Sequence, residues 1–84
     1  MKFINIGLGN IVCVDKIKSV ESLSSYPIKR IVKAAKEEGK LVDITRGRTT
    51  KTVFITDTYI ITSPLKPETI MRRIKDVTGQ HIGD

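Results

Sequence analysis

The sequence predicts an α+β fold: a small, mostly antiparallel sheet with two helices. Three observations predict it. β-branched runs recur at short spacing, as in "FINIG", "NIVCV", "LVDIT", "TVFIT" and "TYIITS". Two segments, one after Pro27 and one after Pro67, switch to helical spacing. The order along the chain is strands, helix, strands, helix, without a regular β-α-β alternation.

In chain order, residues 3–6 and 11–14 read as strands joined by "GLGN". Gly7 and Gly9 raise a phosphate-cradling loop as an alternative, because the dinucleotide fingerprint is Gly-x-Gly-x-x-Gly between strand and helix. The third glycine would fall on Val12, and "NIVCVDKI" continues as strand. A strand–strand turn fits better, since glycine takes positive φ freely and Asn10 tolerates it. "KIKSV", residues 16–20, either prolongs the second strand or begins a third. "ESLSSYP" breaks the pattern; Ser24 or Ser25 can cap a helix with Pro27 in its first turn.

From Ile28 the spacing is helical. Ile28, Ile31, Val32 and Ala35 share one face, and Gly39 is placed to stop the helix. "LVDIT" and "TVFIT" flank "RGRTTK", which reads as a hairpin with Gly47 at its tip. "TYIITS" is a further strand after a turn near Asp57. A second helix opens at Pro67, with Glu68 at the positive end of its dipole. Ile70, Ile74 and Val77 form its apolar face, and Gly79 ends it.

With 84 residues the chain is read as one domain, 1–84, with 79–84 a frayed tail. A chain of this size buries about 60–65% of the surface its unfolded form exposes, so association with copies of itself would bury usefully more. The net charge of +6 points to nucleic acid or an anionic membrane. No apolar run is long enough for a membrane span, so no membrane partner is expected. The first apolar run is interrupted by Asn5, Gly7 and Gly9, unlike a signal peptide, and a cytoplasmic protein is expected.

Catalytic groups are scarce. The single cysteine, Cys13, lies in an apolar run and reads as buried and inert. His81 is the sole histidine, and one His with one Cys cannot build a structural zinc site within a chain. Asp43 and Asp57 could lie near one another but have no evident acid–base partner. No enzyme activity, cofactor or metal is expected.

The charge pattern says more. Between Ile44 and Thr56 there are three positive residues, Arg46, Arg48 and Lys51, and no negative one. They alternate with Thr45, Thr49, Thr50 and Thr52. Cations and hydroxyls in that mixture suit phosphate oxygens. The charged faces of the helices fit an ordinary solvated side.

Taken together, "INIGLGNIV", "PIKRIVKAAKEEGKLVDITRGRTTKTVFITD" and "IITSPLKPETI" resemble the RemA family of bacterial extracellular matrix regulators, from about Lys2 to Ile74. The resemblance implies a DNA-binding transcriptional regulator of biofilm matrix genes. It implies a fold like LytTR-type DNA-binding domains and a ring-shaped homo-oligomer that meets double-stranded DNA through basic residues of several copies. The family's basic position after the "GN" strand falls on Lys16, and its helix-opening proline, tied here to oligomerisation, on Pro27. The first arginine after the turn glycine falls on Arg48. The family's second arginine is replaced by Thr49, so Arg46 or Lys51 would supply that charge. The expected DNA contacts are thus Lys16, Arg46, Arg48 and Lys51. An RNA-binding module and a structural, ring-forming assembly protein are the alternatives. Single-strand RNA readers stack bases on aromatics, and only Phe3, Tyr26, Phe54 and Tyr59 are available.

Overall fold

The structure, a computed structural model, describes residues 2–79. The expected tail beyond Gly79, with His81, lies outside the described residues. β1 (Phe3–Gly7) and β2 (Asn10–Cys13) form an antiparallel ribbon. A 3-10 turn at Val14–Lys16 leads into β3 (Ile17–Glu21). Then come α1 (Tyr26–Glu37), β4 (Leu41–Asp43), β5 (Thr52–Thr56), β6 (Ile60–Ser63) and α2 (Pro67–Thr78). Strands β3 to β6 make a second sheet in the order β3-β5-β6-β4. Its pairs are antiparallel except β4 with β6, which run parallel. The α+β class and the mostly antiparallel pairing stand, in two sheets rather than one.

"GLGN" is a strand–strand turn. Leu8 (φ 52°) and Gly9 (φ 81°) sit at its centre, both in the left-handed region, the pattern that matches strand twist in a two-residue hairpin. Leu8, not Asn10, carries the positive φ. Asn10 works through its side chain, whose Nδ2 donates to the Gly7 carbonyl at 3.0 Å. Gly7 is required twice over: its φ is 123°, and a Cβ there would lie 3.3 Å from Cδ of Pro64. "KIKSV" belongs to a third strand, separated from β2 by the 3-10 turn.

Ser25 caps α1, its hydroxyl accepting from the Ile28 N–H at 3.3 Å, with Pro27 in the first turn. Gly39 (φ 71°) ends the helix while the Lys40 N–H donates back to the Ala35 carbonyl at 2.8 Å. α1 packs on β4 and β6 and buries Ile28 and Ala35. α2 packs on β1 and β3, burying Ile70 and Ile74 completely. The main core joins these to Ile4, Ile6, Val14, Ile17, Ile44 and Phe54. Full burial of Phe54, Ile70 and Ile74 contributes about 1.5–3 kcal/mol each. Buried polar groups stitch the ribbon to the larger sheet: Ser63 Oγ donates to the Ile6 carbonyl at 2.5 Å.

One expectation from the sequence is corrected here. Residues 41–45 and 52–56 do not form a hairpin, because β6 lies between β4 and β5. β5 has two edges, and β3 and β6 occupy both. The β5–β6 connection is the shorter one, and Thr56 locks it: its hydroxyl donates to the Tyr59 carbonyl (2.7 Å) and accepts from the Tyr59 N–H (2.9 Å). Closing the shorter loop costs less entropy, so β6 wins the place beside β5. β4 is left to pair with the far edge of β6, ending at Asp43 rather than Thr45. Residues 44–51 therefore cross the end of β6 as a connecting loop.

Candidate nucleic-acid interface

That loop has a buried root and a charged crest. Ile44 and Thr45 at one end and Thr52 at the other are buried. The Ile44 N–H donates to the Thr62 carbonyl (3.1 Å) and the Lys51 N–H to the Ser63 carbonyl (2.9 Å), so both ends are held to β6. Between them Arg46, Gly47, Arg48 and Thr49 are exposed, as is Lys51. The Arg48 N–H donates to the Thr45 carbonyl at 3.0 Å, closing a turn over Thr45 to Arg48. Its central residues, Arg46 (φ 52°) and Gly47 (φ 84°), both lie in the left-handed region. Glycine adopts that conformation freely; for arginine it costs about 1–2 kcal/mol, which the anchors at the root must offset. The turn at Gly47 read from "RGRTTK" is present, while the strand pairing it suggested is not.

Asp43, itself exposed at the end of β4, is tied to the first residue of the turn. Its Oδ1 accepts from the Thr45 hydroxyl (2.7 Å), the Thr45 N–H (2.9 Å) and the Thr62 hydroxyl (3.0 Å). The Thr45 hydroxyl and then the Thr45 N–H hold its carboxyl below the usual carboxylate range; desolvation opposes them, and the Thr62 hydroxyl and the charge of Lys36 add lesser pulls in the lowering direction. Asp43 and Asp57 do not meet. Asp43 pairs with Thr62 near the start of β5, whereas Asp57 follows the end of β5 and pairs with Lys18 at 2.6 Å.

The structure brings together three of the four expected DNA contacts. Arg46, Arg48 and Lys51 share the loop that enters β5 at Thr52. Lys16 does not join them: it precedes Ile17, which pairs with Thr56 at the other end of β5. Four strand steps, about 13 Å, separate those ends. Lys16 instead lines a groove of about 420 Å³ with Val12, Val42, Asp57, Tyr59 and Ile61. Pro27 is exposed and lines a shallow groove with Arg30, Ile31 and Ala34.

Sequence reading missed one cation of the loop's neighbourhood, Lys66. The Thr52 hydroxyl donates to the Leu65 carbonyl at 2.6 Å, so Lys51 and Lys66 each stand one residue from a bonded pair. No local signal in "PLKP" carries this; the return of β6 beside β5 does. Arg30 lies over the Tyr26 ring, 5.9 Å from its centroid. Among the described residues there is no helix long and apolar enough to cross a membrane and no cluster of His, Cys, Asp or Glu fit to hold a metal ion. Cys13 is buried and Phe54 packs in the core.

Residues 3–74 match the family model described as "RemA-like: Extracellular matrix regulatory protein A-like". Relatives carry the name "Putative regulatory protein". One from Geobacillus thermodenitrificans is 52% identical over 75 residues, covering 88% of this chain and 86% of its own. One from Acetivibrio thermocellus is 51% identical over 83 residues, covering 98% and 89%. One from Heliobacterium modesticaldum is 45% identical over 85 aligned positions, covering 100% and 93%.

Proposed function

Because the chain belongs to the RemA-like family of extracellular matrix regulatory proteins, we propose that it regulates biofilm matrix genes by binding double-stranded DNA, on a LytTR-type scaffold and as a ring-like homo-oligomer. The observation that carries this reading is the crossing loop. It presents Arg46, Arg48 and Lys51 on a buried root, without a carboxylate between Ile44 and Thr56, and with Lys66 alongside. Fixed cations at separations set by a rigid turn suit a phosphate backbone, which positions a protein without reading sequence.

A single loop of this kind binds weakly. Repeating it around a ring multiplies the phosphate contacts and raises the effective concentration of each. Two features support association. The edge strands β3 and β4 are unlike surfaces on opposite sides of one sheet, and a contact between unlike surfaces closes into a ring when the rotation allows. Val42, Tyr59, Tyr26 and Ile31 are exposed apolar groups, and Pro27 lies beside Ile31 as a contact residue of the assembly. Lys16 serves as a second DNA contact where the assembly turns its end of the sheet toward the duplex.

Fluorescence anisotropy of labelled duplex DNA at low salt, with single-stranded RNA in parallel and light scattering on the same sample, tests the reading. The expected result is duplex binding tighter than RNA binding, by a particle several times the 9.4 kDa chain. Preferential RNA binding refutes the DNA reading. Binding to neither favours an assembly whose ring is itself the function, and a folded monomer at micromolar concentration removes the ring.

A further inference from the structure

We infer that Asp43 is a positioning residue of the arginine turn: its carboxylate holds Arg46 and Arg48 in the presented geometry without itself meeting DNA. This rests on the reading that the crossing loop is the DNA surface.

One oxygen, Asp43 Oδ1, accepts three hydrogen bonds within 3.0 Å. Two come from Thr45, the first residue of the turn, through its N–H and its hydroxyl. The third comes from Thr62, the residue beside Asp43 in β6. Asp43 thus bridges a strand of the sheet and the residue whose carbonyl closes the turn on Arg48. Hydrogen bonds to an ionised acceptor are stronger than neutral ones, and these meet donors of buried residues, Thr45 and Thr62. Arg46 holds a left-handed φ that an unrestrained arginine avoids. A turn so constrained fixes the backbone from which both arginines project, and a loosened one must be ordered again on each binding event.

An exposed carboxylate next to a DNA-binding loop also has an electrostatic cost, and this gives the test its sign. If charge were all that mattered, removing Asp43 would tighten binding to an anionic duplex. Positioning demands the opposite.

Asp43→Ala, Asp43→Asn and the charge control Glu68→Gln, which removes an exposed carboxylate near Lys66, are compared with the native protein in two measurements. Amide hydrogen exchange should show Thr45 and Arg48 exchanging at least about tenfold faster in Asp43→Ala, with Val53 in β5 unchanged. Duplex affinity should fall by about tenfold, the cost of re-fixing roughly one residue's backbone, at unchanged particle mass. Asn keeps a neutral acceptor, so Asp43→Asn should fall between, and it provides the test should the alanine variant not fold. Glu68→Gln should bind duplex as tightly as the native protein or tighter. Unchanged exchange at Thr45 and Arg48 overturns the inference, as does unchanged or tighter DNA binding by Asp43→Ala when Arg48→Ala weakens it. If Arg48→Ala leaves binding unaltered, the DNA reading of the loop fails instead, and the exchange rates alone judge whether Asp43 holds the turn.

Discussion

Replacing Arg48 by alanine tests the proposed DNA surface with little disturbance to the fold. The side chain is exposed, and the contact that closes the turn, Arg48 N–H to the Thr45 carbonyl, belongs to the backbone and survives. The variant should keep its thermal midpoint and particle mass. Its DNA binding should change in a specific way. Each phosphate neutralised adds about 0.9 to the log–log salt slope, so the three loop cations give about −2.7 per engaged copy and the variant about −1.8. Between about 50 and about 200 mM salt, the native loop then loses affinity roughly 40-fold and the variant roughly 12-fold. A ring that seats several copies multiplies the difference. Anisotropy titrations over a salt series, on two duplexes of unrelated sequence, measure both slope and selectivity. Equal losses on both duplexes indicate phosphate contact; a loss confined to one, at about 1–3 kcal/mol, indicates a base edge. Thr49→Arg is the converse change and should steepen the slope. Unchanged slopes in both variants would refute the reasoning and move the DNA surface elsewhere.

Ile74→Ala empties a fully buried position between α2 and the sheet, and urea denaturation should show a loss of about 2–5 kcal/mol. Gly7→Ala should destabilise the fold more than Gly9→Ala, because only at Gly7 does a Cβ crowd Pro64 and Leu65; similar urea midpoints would contradict this. The Asp43 carboxyl titrates lower in the folded chain than in the unfolded one, so its contribution to stability is complete above the unfolded value and is lost as pH falls through the folded one. The difference in urea midpoint between the native protein and Asp43→Asn should therefore hold at neutral pH and shrink below about pH 4. Cys13 is buried and should react slowly with a thiol reagent in the native state, while Cys13→Ala should keep duplex binding; rapid labelling would show that the β2 strand opens.

Most of what a few neighbouring residues decide was legible in the chain, although the left-handed φ of Leu8 and Arg46 belongs to residue types that disfavour it. A serine cap (Ser24 or Ser25 in the sequence, Ser25 in the structure), Pro27 and Pro67 at helix starts, Gly39 and Gly79 at helix ends, and positive φ at Gly9 and Gly47 are contests between a residue and its immediate backbone. They came out as the residue types dictate. The loop cations were legible too, because charge and exposure at a turn are local properties. Which strand lies beside which was settled by long-range packing. β4 and β5 flank a good turn yet do not pair, because β5 has only two edges and the shorter connection to β6 takes one of them. That outcome turned the expected hairpin into a loop anchored on β6, bonded Asp43 to Thr45 and Thr62 at the foot of the turn, drew in Lys66, and sent Lys16 to the opposite end of the sheet. Strand order is a competition among distant segments for a limited number of edges, so no single segment carries the result.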